Sequence, residues 1–252
     1  MVRLSVCVEM IFRPLPFLER LEAVEQAGYP AFEFWRWQDK DLPAILETKE
    51  RLRLQVAAFG AAGGTLLEPA NHQRYYDTFA QAAEWARRLG CPNLIVTTGN
   101  TLPGVPREQQ LEALREGLAG VARAAAAGGV TAVLEPLNSK VDHPGYFLDH
   151  PPEAFRLVEE IGSPHLRVLY DMYHAQIMDG DIIQTLTDQA ALIGHYHVAD
   201  VPGRHEPGTG ELNYANIFRR IDATGYQKFV GLEYRPSNDH AASLAAVRAL
   251  AA

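Results

Sequence analysis

Short apolar runs alternate with longer amphipathic segments along this chain. A typical run, Leu94-Ile95-Val96, is too short for a helix and has the composition of a strand that is buried on both faces. The longer segments carry apolar residues at spacings of three and four, the pattern of one helical face, as in Leu111, Leu114, Leu118, Val121 and Ala125. Glycine, which readily adopts the left-handed conformation that closes a helix, precedes many of the runs, at Gly28, Gly90, Gly129, Gly162 and Gly225.

The pattern predicts eight strands, near residues 4–10, 31–34, 54–59, 94–97, 130–135, 166–171, 193–198 and 229–234. The predicted ends of the first and last strands, Met10 and Glu233, lie 223 residues apart. Each interval is therefore about 32 residues, the size of a strand–helix crossover unit. Eight units in 252 residues predict a single (β/α)8 TIM barrel domain over residues 1–252. An open doubly wound sheet is the alternative, but Gly208-Thr209-Gly210 does not directly follow a strand as its phosphate loop would.

Composition narrows the possible functions. The chain has 23 Lys and Arg against 31 Asp and Glu, a formal net charge of −8, which argues against a nucleic-acid partner. It lacks both a signal-peptide pattern and a run of ~20 apolar residues, so we expect a cytoplasmic protein without a membrane partner. The two distant cysteines, Cys7 and Cys91, do not form a disulfide framework and are expected to be buried.

Chemically active side chains end four consecutive predicted strands. Glu135, Asp171 and Glu233 end strands 5, 6 and 8, and strand 7 carries His195-Tyr196-His197. The C-terminal ends of barrel strands form the active site, so these groups are expected at one rim. Any one of them alone is more often a salt-bridged or hydrogen-bonded residue. Three carboxylates buried together are costly, and a divalent cation such as Mn²⁺, Mg²⁺ or Co²⁺ offsets that cost and suits this ligand set.

Several motifs together resemble the hydroxypyruvate isomerase family of xylose-isomerase-like barrels, which stands beside ketose 3-epimerases and inosose-processing enzymes. The motifs are Leu134-Glu135-Pro136-Leu137-Asn138, Tyr170-Asp171-Met172-Tyr173-His174-Ala175-Gln176, Gly194-His195-Tyr196-His197-Val198-Ala199-Asp200, Glu206-Pro207-Gly208-Thr209-Gly210-Glu211 and Gly231-Leu232-Glu233-Tyr234. The Glu-Pro-Gly-Thr-Gly-Glu and Asp-x-Tyr-His-x-Gln runs are specific, whereas the isolated Glu-Pro and Glu-Tyr pairs are not.

The resemblance implies roles for individual residues. Glu135 and Glu233 are implied to be the catalytic acid/base pair, and the same two residues with Asp171 and His197 to hold the cation. His174 resembles the substrate-binding histidine of the epimerases. The resemblance also implies a small-molecule substrate and a homo-oligomer.

The implied reaction is an aldose–ketose isomerisation, an intramolecular oxidoreduction of a small hydroxy-keto acid. Its first candidate is hydroxypyruvate going to tartronate semialdehyde by proton transfer through an enediolate. A substrate carboxylate needs a cationic partner, and Lys140 and Arg204 lie in loops at the active rim, with Arg36 and Arg235 as weaker candidates. The loop over residues 138–146 departs partly from the family pattern, which leaves the substrate open.

Three other functions stay open. A ketose 3-epimerase or a related sugar or inosose isomerase would use the same metal and Glu pair on a larger substrate. A pocket-facing Lys140 favours a carboxylate substrate, and a Lys140 outside the pocket favours a neutral sugar. Metal-dependent phosphodiester cleavage is disfavoured by the charge of −8, and a non-catalytic barrel by the intact strand-end residues.

Three further features lie near the predicted rim. The Phe34-Trp35-Arg36-Trp37 segment is expected to wall the pocket, to form an interface or simply to anchor its loop. Glu33 is expected inside the barrel mouth. Glu206 is expected to stabilise the Pro-Gly-Thr-Gly turn.

Overall fold

Eight parallel strands close into a barrel in sequence order in this computed structural model, which describes residues 1–251. β1 pairs with both β2 and β8, so the sheet has no edge, and the open-sheet alternative is excluded. The strands are β1 (Arg3–Cys7), β2 (Ala31–Phe34), β3 (Gln55–Gly60), β4 (Asn93–Val96), β5 (Thr131–Leu134), β6 (Leu166–Asp171), β7 (Ile193–Val198) and β8 (Phe229–Leu232).

Helices surround this barrel and connect the strands. They are α1 (Phe17–Gln26), α2 (Leu42–Leu52), α3 (His72–Leu89), α4 (Arg107–Gly128), α5 (Pro151–Ile161), α6 (Met172–Met178), α7 (Ile182–Asp188), α8 (Tyr214–Ala223) and α9 (His240–Leu250). The predicted helical face of α4 is buried at Leu114, Leu118 and Val121. Gly90 and Gly129 close α3 and α4 in the left-handed conformation, as the sequence predicts. No helix within residues 1–251 is long and apolar enough to cross a membrane.

Alternate strand residues face opposite sides of the barrel wall. Phe32 and Phe34 belong to the large apolar core between the strands and the helices. A separate small cluster fills one half of the barrel interior and consists of Ala58, Ile95, Val133 and Leu169, from β3, β4, β5 and β6. The interior positions of β1, β2, β7 and β8 are instead mostly polar, and this polar half leads up to the rim.

The first strand is shorter than the sequence pattern predicts. β1 ends at Cys7 instead of near Met10, because the amides of Met10 and Ile11 donate back to the Cys7 carbonyl and turn the chain. Cys7 and Cys91 are buried, free thiols, as expected.

Candidate active site

Four strand ends bring the predicted chemical groups to one rim. Asp171 is the last residue of β6 and lies beside His197 of β7 in the strand register. Glu135 and Glu233 come directly after β5 and β8, and their amides still donate to neighbouring strands, to Val96 O at 3.0 Å and to Val198 O at 3.2 Å. Each of the four lies two residues after an interior-facing position of the same strand, so all of them point into the barrel mouth.

The structure brings these four side chains into one buried cluster. One ligand atom from each of Glu135, Asp171, His197 and Glu233 lies within 4.8 Å of the others. The Nδ1 atom of His197 is 3.4 Å from Glu135 Oε1 and 3.6 Å from Glu233 Oε2. We call this set the rim cluster.

The rim cluster fits a divalent cation. Within residues 1–251, Glu135 Oε1 and His197 Nδ1 are buried polar atoms without a hydrogen-bond partner, which is unusual for such groups. Both atoms face the centre of the cluster. Carboxylate oxygens and one imidazole nitrogen form a donor set that suits a hard or borderline divalent ion.

The environment shifts the rim-cluster pKa values in different directions. Burial raises the pKa of the Glu135 carboxyl, although the His197 imidazole opposes that shift. Burial also favours a higher pKa for the Glu233 carboxyl, but the positive charges of His197 and Arg204 outweigh burial and lower the Glu233 pKa. Burial disfavours the His197 imidazolium, yet the Glu233 and Glu33 carboxylates outweigh that effect and raise the His197 pKa well above its usual value.

Two further side chains hold the Glu233 carboxylate. The guanidinium of Arg204 pairs with Glu233 Oε2 and lies 3.7 Å from Asp171 Oδ2. The indole Nε1 of Trp35 donates a hydrogen bond to Glu233 Oε1 at 2.6 Å. Trp35 therefore does more than wall the pocket, a role that the cluster of aromatic residues in the sequence does not specify. Its neighbour Trp37 is buried and anchors the loop by donating to Ala61 O at 2.7 Å.

His174 is arranged as a hydrogen-bond donor towards the cavity. Its Nδ1 accepts from the Asn138 amide at 3.2 Å, which leaves the proton on Nε2. Burial, reinforced by Arg204, holds the pKa of His174 well below its usual value, so the ring is neutral. Among the described residues the Nε2 atom has no hydrogen-bond partner, and it is buried 3.5 Å from Asp171 Oδ2.

Lys140, an expected substrate ligand, points away from the rim cluster. Its Nζ donates to the backbone carbonyls of Ile177 and Met178 at 2.9 and 3.1 Å, at the end of α6. The last carbonyls of a helix lack intrahelical partners and attract cations, which explains this orientation. The structure thus places Arg204 at the site and Lys140 outside it.

The loop that carries Arg204 is fixed by two buried carboxylates. Asp200 accepts from the amides of Gly208 at 2.8 Å and Leu212 at 3.0 Å. The carboxylate of Glu206 accepts from the amide and hydroxyl of Ser237 at 2.9 and 2.7 Å, outside the Pro-Gly-Thr-Gly turn where the sequence predicts that it acts. The backbone carbonyl of Glu206, and not its side chain, accepts from Thr209 within that turn. These bonds hold the loop over residues 200–212 against the barrel mouth.

Three adjoining cavities open at this rim, and Trp35 borders all of them. The main cavity, about 530 Å³, reaches Glu135 and Glu233 and is also bordered by Gln38, Asp39 and Thr97. A second, about 270 Å³, is bordered by the guanidinium-bearing residues Arg13, Arg204 and Arg235. A third, about 220 Å³, is bordered by His143 and His174 together with the rim glutamates.

Known proteins are similar to this chain in both sequence and fold. A 2-oxo-tetronate isomerase of Cupriavidus necator is 34% identical over 97% of this chain and 96% of that protein. A hydroxypyruvate isomerase of Escherichia coli is 33% identical over 97% of each. A crystal structure described as AP endonuclease, family 2, from Brucella melitensis is 32% identical, covers 99% of both chains and superposes with a TM-score of 0.94.

The family model described as xylose isomerase-like TIM barrel matches residues 21–251. That match covers most of the chain, and the closed barrel with its acidic rim agrees with it. The chain therefore belongs to the xylose isomerase-like TIM barrel family, in which it groups with enzymes named as isomerases.

Proposed function

We propose that this enzyme isomerises a small 2-keto acid that carries a hydroxyl group beside the keto carbon, with hydroxypyruvate as the first candidate. The observation that carries the proposal is the pair Glu135 and Glu233, which come from well-separated strands and border the same cavity. Two carboxylates placed around one substrate provide a base and an acid for proton transfer between adjacent carbons. The names of the Cupriavidus necator and Escherichia coli relatives agree with this reaction class.

The surroundings of the two glutamates indicate which one acts as the base and which one as the acid. Glu233 is paired with Arg204 and accepts from Trp35, so it is the better candidate for the ionised base. It takes a proton from the hydroxymethyl carbon, and the electrons of that C–H bond form the double bond of an enediolate. Glu135 delivers a proton to the neighbouring carbon, the former keto carbon. The hydroxyl proton of the former hydroxymethyl carbon passes to the former keto oxygen, so that the first carbon becomes an aldehyde and the second a secondary alcohol. Proton exchange with solvent then returns Glu233 to its ionised form and Glu135 to its protonated form.

The other residues of the site bind and orient the substrate in this scheme. His174 Nε2–H donates to a substrate oxygen, since its Nδ1 is already occupied by Asn138. A divalent cation, when it is bound by Glu135, Asp171, His197 and Glu233, supplies positive charge that stabilises the developing oxyanion. With Lys140 outside the site, we assign the substrate carboxylate to the cavity bordered by Arg13, Arg204 and Arg235.

A ketose 3-epimerase or a related sugar or inosose isomerase is the second candidate, and two observations favour it. The main cavity of about 530 Å³ is far larger than a three-carbon acid. Lys140 is also unavailable to a substrate carboxylate. The same glutamates would then move a proton at a carbon of a longer polyhydroxy ketone.

Solvent proton exchange separates these candidates. We expect the enzyme in D2O, with Mn²⁺ present, to introduce deuterium at carbon into hydroxypyruvate or a four-carbon 2-keto hydroxy acid, and not into neutral ketoses. Glu135→Gln and Glu233→Gln should each lower the exchange rate by about 10²- to 10⁴-fold, the usual contribution of an acid or base. Exchange restricted to neutral ketoses would establish the epimerase alternative.

Glu84→Gln provides the matched control, because Glu84 is an exposed glutamate on α3, away from the rim cluster and its three cavities. It should exchange at the wild-type rate. Undiminished exchange in both Glu135→Gln and Glu233→Gln would remove the assignment of the pair.

A further inference from the structure

A second group of polar side chains lies inside the barrel, one layer below the rim cluster. Ser5 of β1, Glu33 of β2 and His195 of β7 are all fully buried there. The corresponding layer of β3 to β6 is the apolar cluster Ala58, Ile95, Val133 and Leu169. Buried charge and imidazole are costly, and the apolar half shows that apolar side chains can fill this layer. The polar side chains of Ser5, Glu33 and His195 are therefore expected to have a function that compensates for the cost of burying them.

Glu33 is the centre of this buried group. Its Oε2 lies 2.8 Å from His195 Nε2 and 3.1 Å from His197 Nε2, and its Oε1 accepts from the Ser5 hydroxyl at 2.6 Å. An ionised carboxylate is only an acceptor, so each imidazole presents an N–H at Nε2. The two rings also meet edge to face, with centroids 5.1 Å apart.

Gly231 of β8 leaves room for this arrangement. A Cβ atom at that position would stand 2.1 Å from Glu33 Oε1 and 2.6 Å from His197 Cδ2. Both distances are far below van der Waals contact. The absence of a side chain at Gly231 is thus required for the Glu33 carboxylate and the His197 ring to occupy the places that they do.

The orientation of His197 follows from these contacts. Because its Nε2 is directed at Glu33, its other nitrogen, Nδ1, faces Glu135 and Glu233 in the rim cluster. A carboxylate that receives the distal N–H of a metal-ligating histidine fixes its tautomer and ring orientation and raises its basicity. Glu33 stands in that relation to His197.

We propose that Glu33 is a positioning residue, which holds the Nε2–H of His197 so that Nδ1 is presented to the cation site. This inference rests on the proposed function only in taking the rim cluster to be that cation site. Glu33 does not reach the rim cluster's centre itself and acts through His197. His195 donates to the same carboxylate oxygen and keeps it in place.

The protonation pattern is tested first, by nitrogen-15 NMR of histidine-labelled protein. We expect two slowly exchanging, strongly downfield Nε2 protons in the wild-type protein, from His195 and His197. Glu33→Gln should move the His197 Nε2 proton upfield and make it exchange faster, because a neutral amide oxygen accepts a weaker hydrogen bond than a carboxylate. A wild-type protein in which the His197 Nε2 is not protonated would overturn the proposal without any variant.

Cation binding is measured next, by titration calorimetry of the chelator-treated protein with Mn²⁺. Glu33→Gln should weaken binding by about 10- to 100-fold, the usual effect of losing such a partner. Ser5→Ala is the matched control, since it removes the bond to Glu33 Oε1 and leaves the imidazole bonds on Oε2. It should bind Mn²⁺ with nearly wild-type affinity.

The outcomes are distinguishable. If Glu33→Gln binds Mn²⁺ as tightly as wild type, or if Ser5→Ala weakens binding equally, Glu33 has no specific positioning role. If the wild-type protein binds no divalent cation, the cation part of the proposed function fails. The Nε2 signals then still decide whether Glu33 orients His197.

Discussion

At the scale of single residues, Glu233 has the most strongly determined environment of the rim cluster. Arg204, the Trp35 indole and His197 all approach it, and the Cys7 thiol lies 3.8 Å from Oε1. Within residues 1–251, Glu135 Oε1 has no hydrogen-bond donor, and His197 Nδ1 lies 3.4 Å from it. The two carboxylates are thus chemically unequal although the sequence pattern presents them as equivalent strand-end glutamates.

Replacing Trp35 with Phe tests this environment. Trp35→Phe keeps an aromatic wall and removes the N–H that Glu233 accepts. A hydrogen bond to a charged group contributes about 1.5–3 kcal/mol, so we expect kcat to fall roughly 10- to 100-fold. Steady-state kinetics checks this, with Trp85→Phe on α3 as the control that should leave kcat unchanged. An unaltered kcat in Trp35→Phe would show that the indole N–H is dispensable.

The sequence predicts which site residues lie close together where the backbone position alone determines their proximity. Asp171 and His197 sit at the ends of neighbouring parallel strands, so their proximity follows once the barrel is predicted. Lys140 was expected at the site and lies outside it, because a long flexible side chain reaches whichever acceptors are nearest. The Trp35–Glu233 contact joins residues that are far apart in the chain, so only the folded barrel reveals it.

At the scale of elements, the loop over residues 200–212 contributes most to the candidate active site, because it carries Arg204. Asp200 satisfies three backbone amides in this loop, those of Val201, Gly208 and Leu212. One side chain thus replaces the regular hydrogen bonding that the loop lacks. The sequence predicts the strands to within a few residues, because a run of apolar residues is visible in the sequence itself. The hydrogen bonds inside this loop join residues up to 12 positions apart, so they cannot be predicted in the same way.

Removing the Asp200 carboxylate should loosen this element. Asp200→Ala leaves buried amide donors without partners, at about 1–3 kcal/mol for such a group, so we expect about 2–4 kcal/mol less stability in urea unfolding and a raised KM. Asp239→Ala is the control, because Asp239 caps α9 with a bond to Ala242 N and should cost about 1 kcal/mol without changing KM. Equal KM values in both variants would disprove the role of Asp200 in placing Arg204.

At the scale of the whole molecule, charge and architecture limit the range of reactions. The formal charge of −8 disfavours binding to a phosphate backbone, even though a structural neighbour is described as an endonuclease. The barrel also concentrates buried acidic groups at one end, and a cation bound there reduces their mutual repulsion. Folding and cation binding are therefore expected to be coupled.

Thermal unfolding should report this coupling. Mn²⁺ at a hundred times its dissociation constant adds about 2.7 kcal/mol to the free energy of unfolding, which corresponds to a Tm increase of about 5–10 °C for a chain of this size. EDTA should reverse the increase. In Asp171→Asn the difference between Mn²⁺ and EDTA should largely disappear, and a full increase in that variant would place the cation elsewhere.

The interior of the barrel, apolar on β3 to β6 and polar on β1, β2, β7 and β8, has a consequence for engineering. Ala58, Ile95, Val133 and Leu169 contact one another and none belongs to the hydrogen-bonded network around Glu33. Ile95 also borders the main cavity. Mutational libraries confined to Ala58, Val133 and Leu169 should therefore change mainly thermal stability, and libraries on Ile95 and on the polar half should also change turnover. The barrel thus offers separate routes to adjust robustness and reactivity.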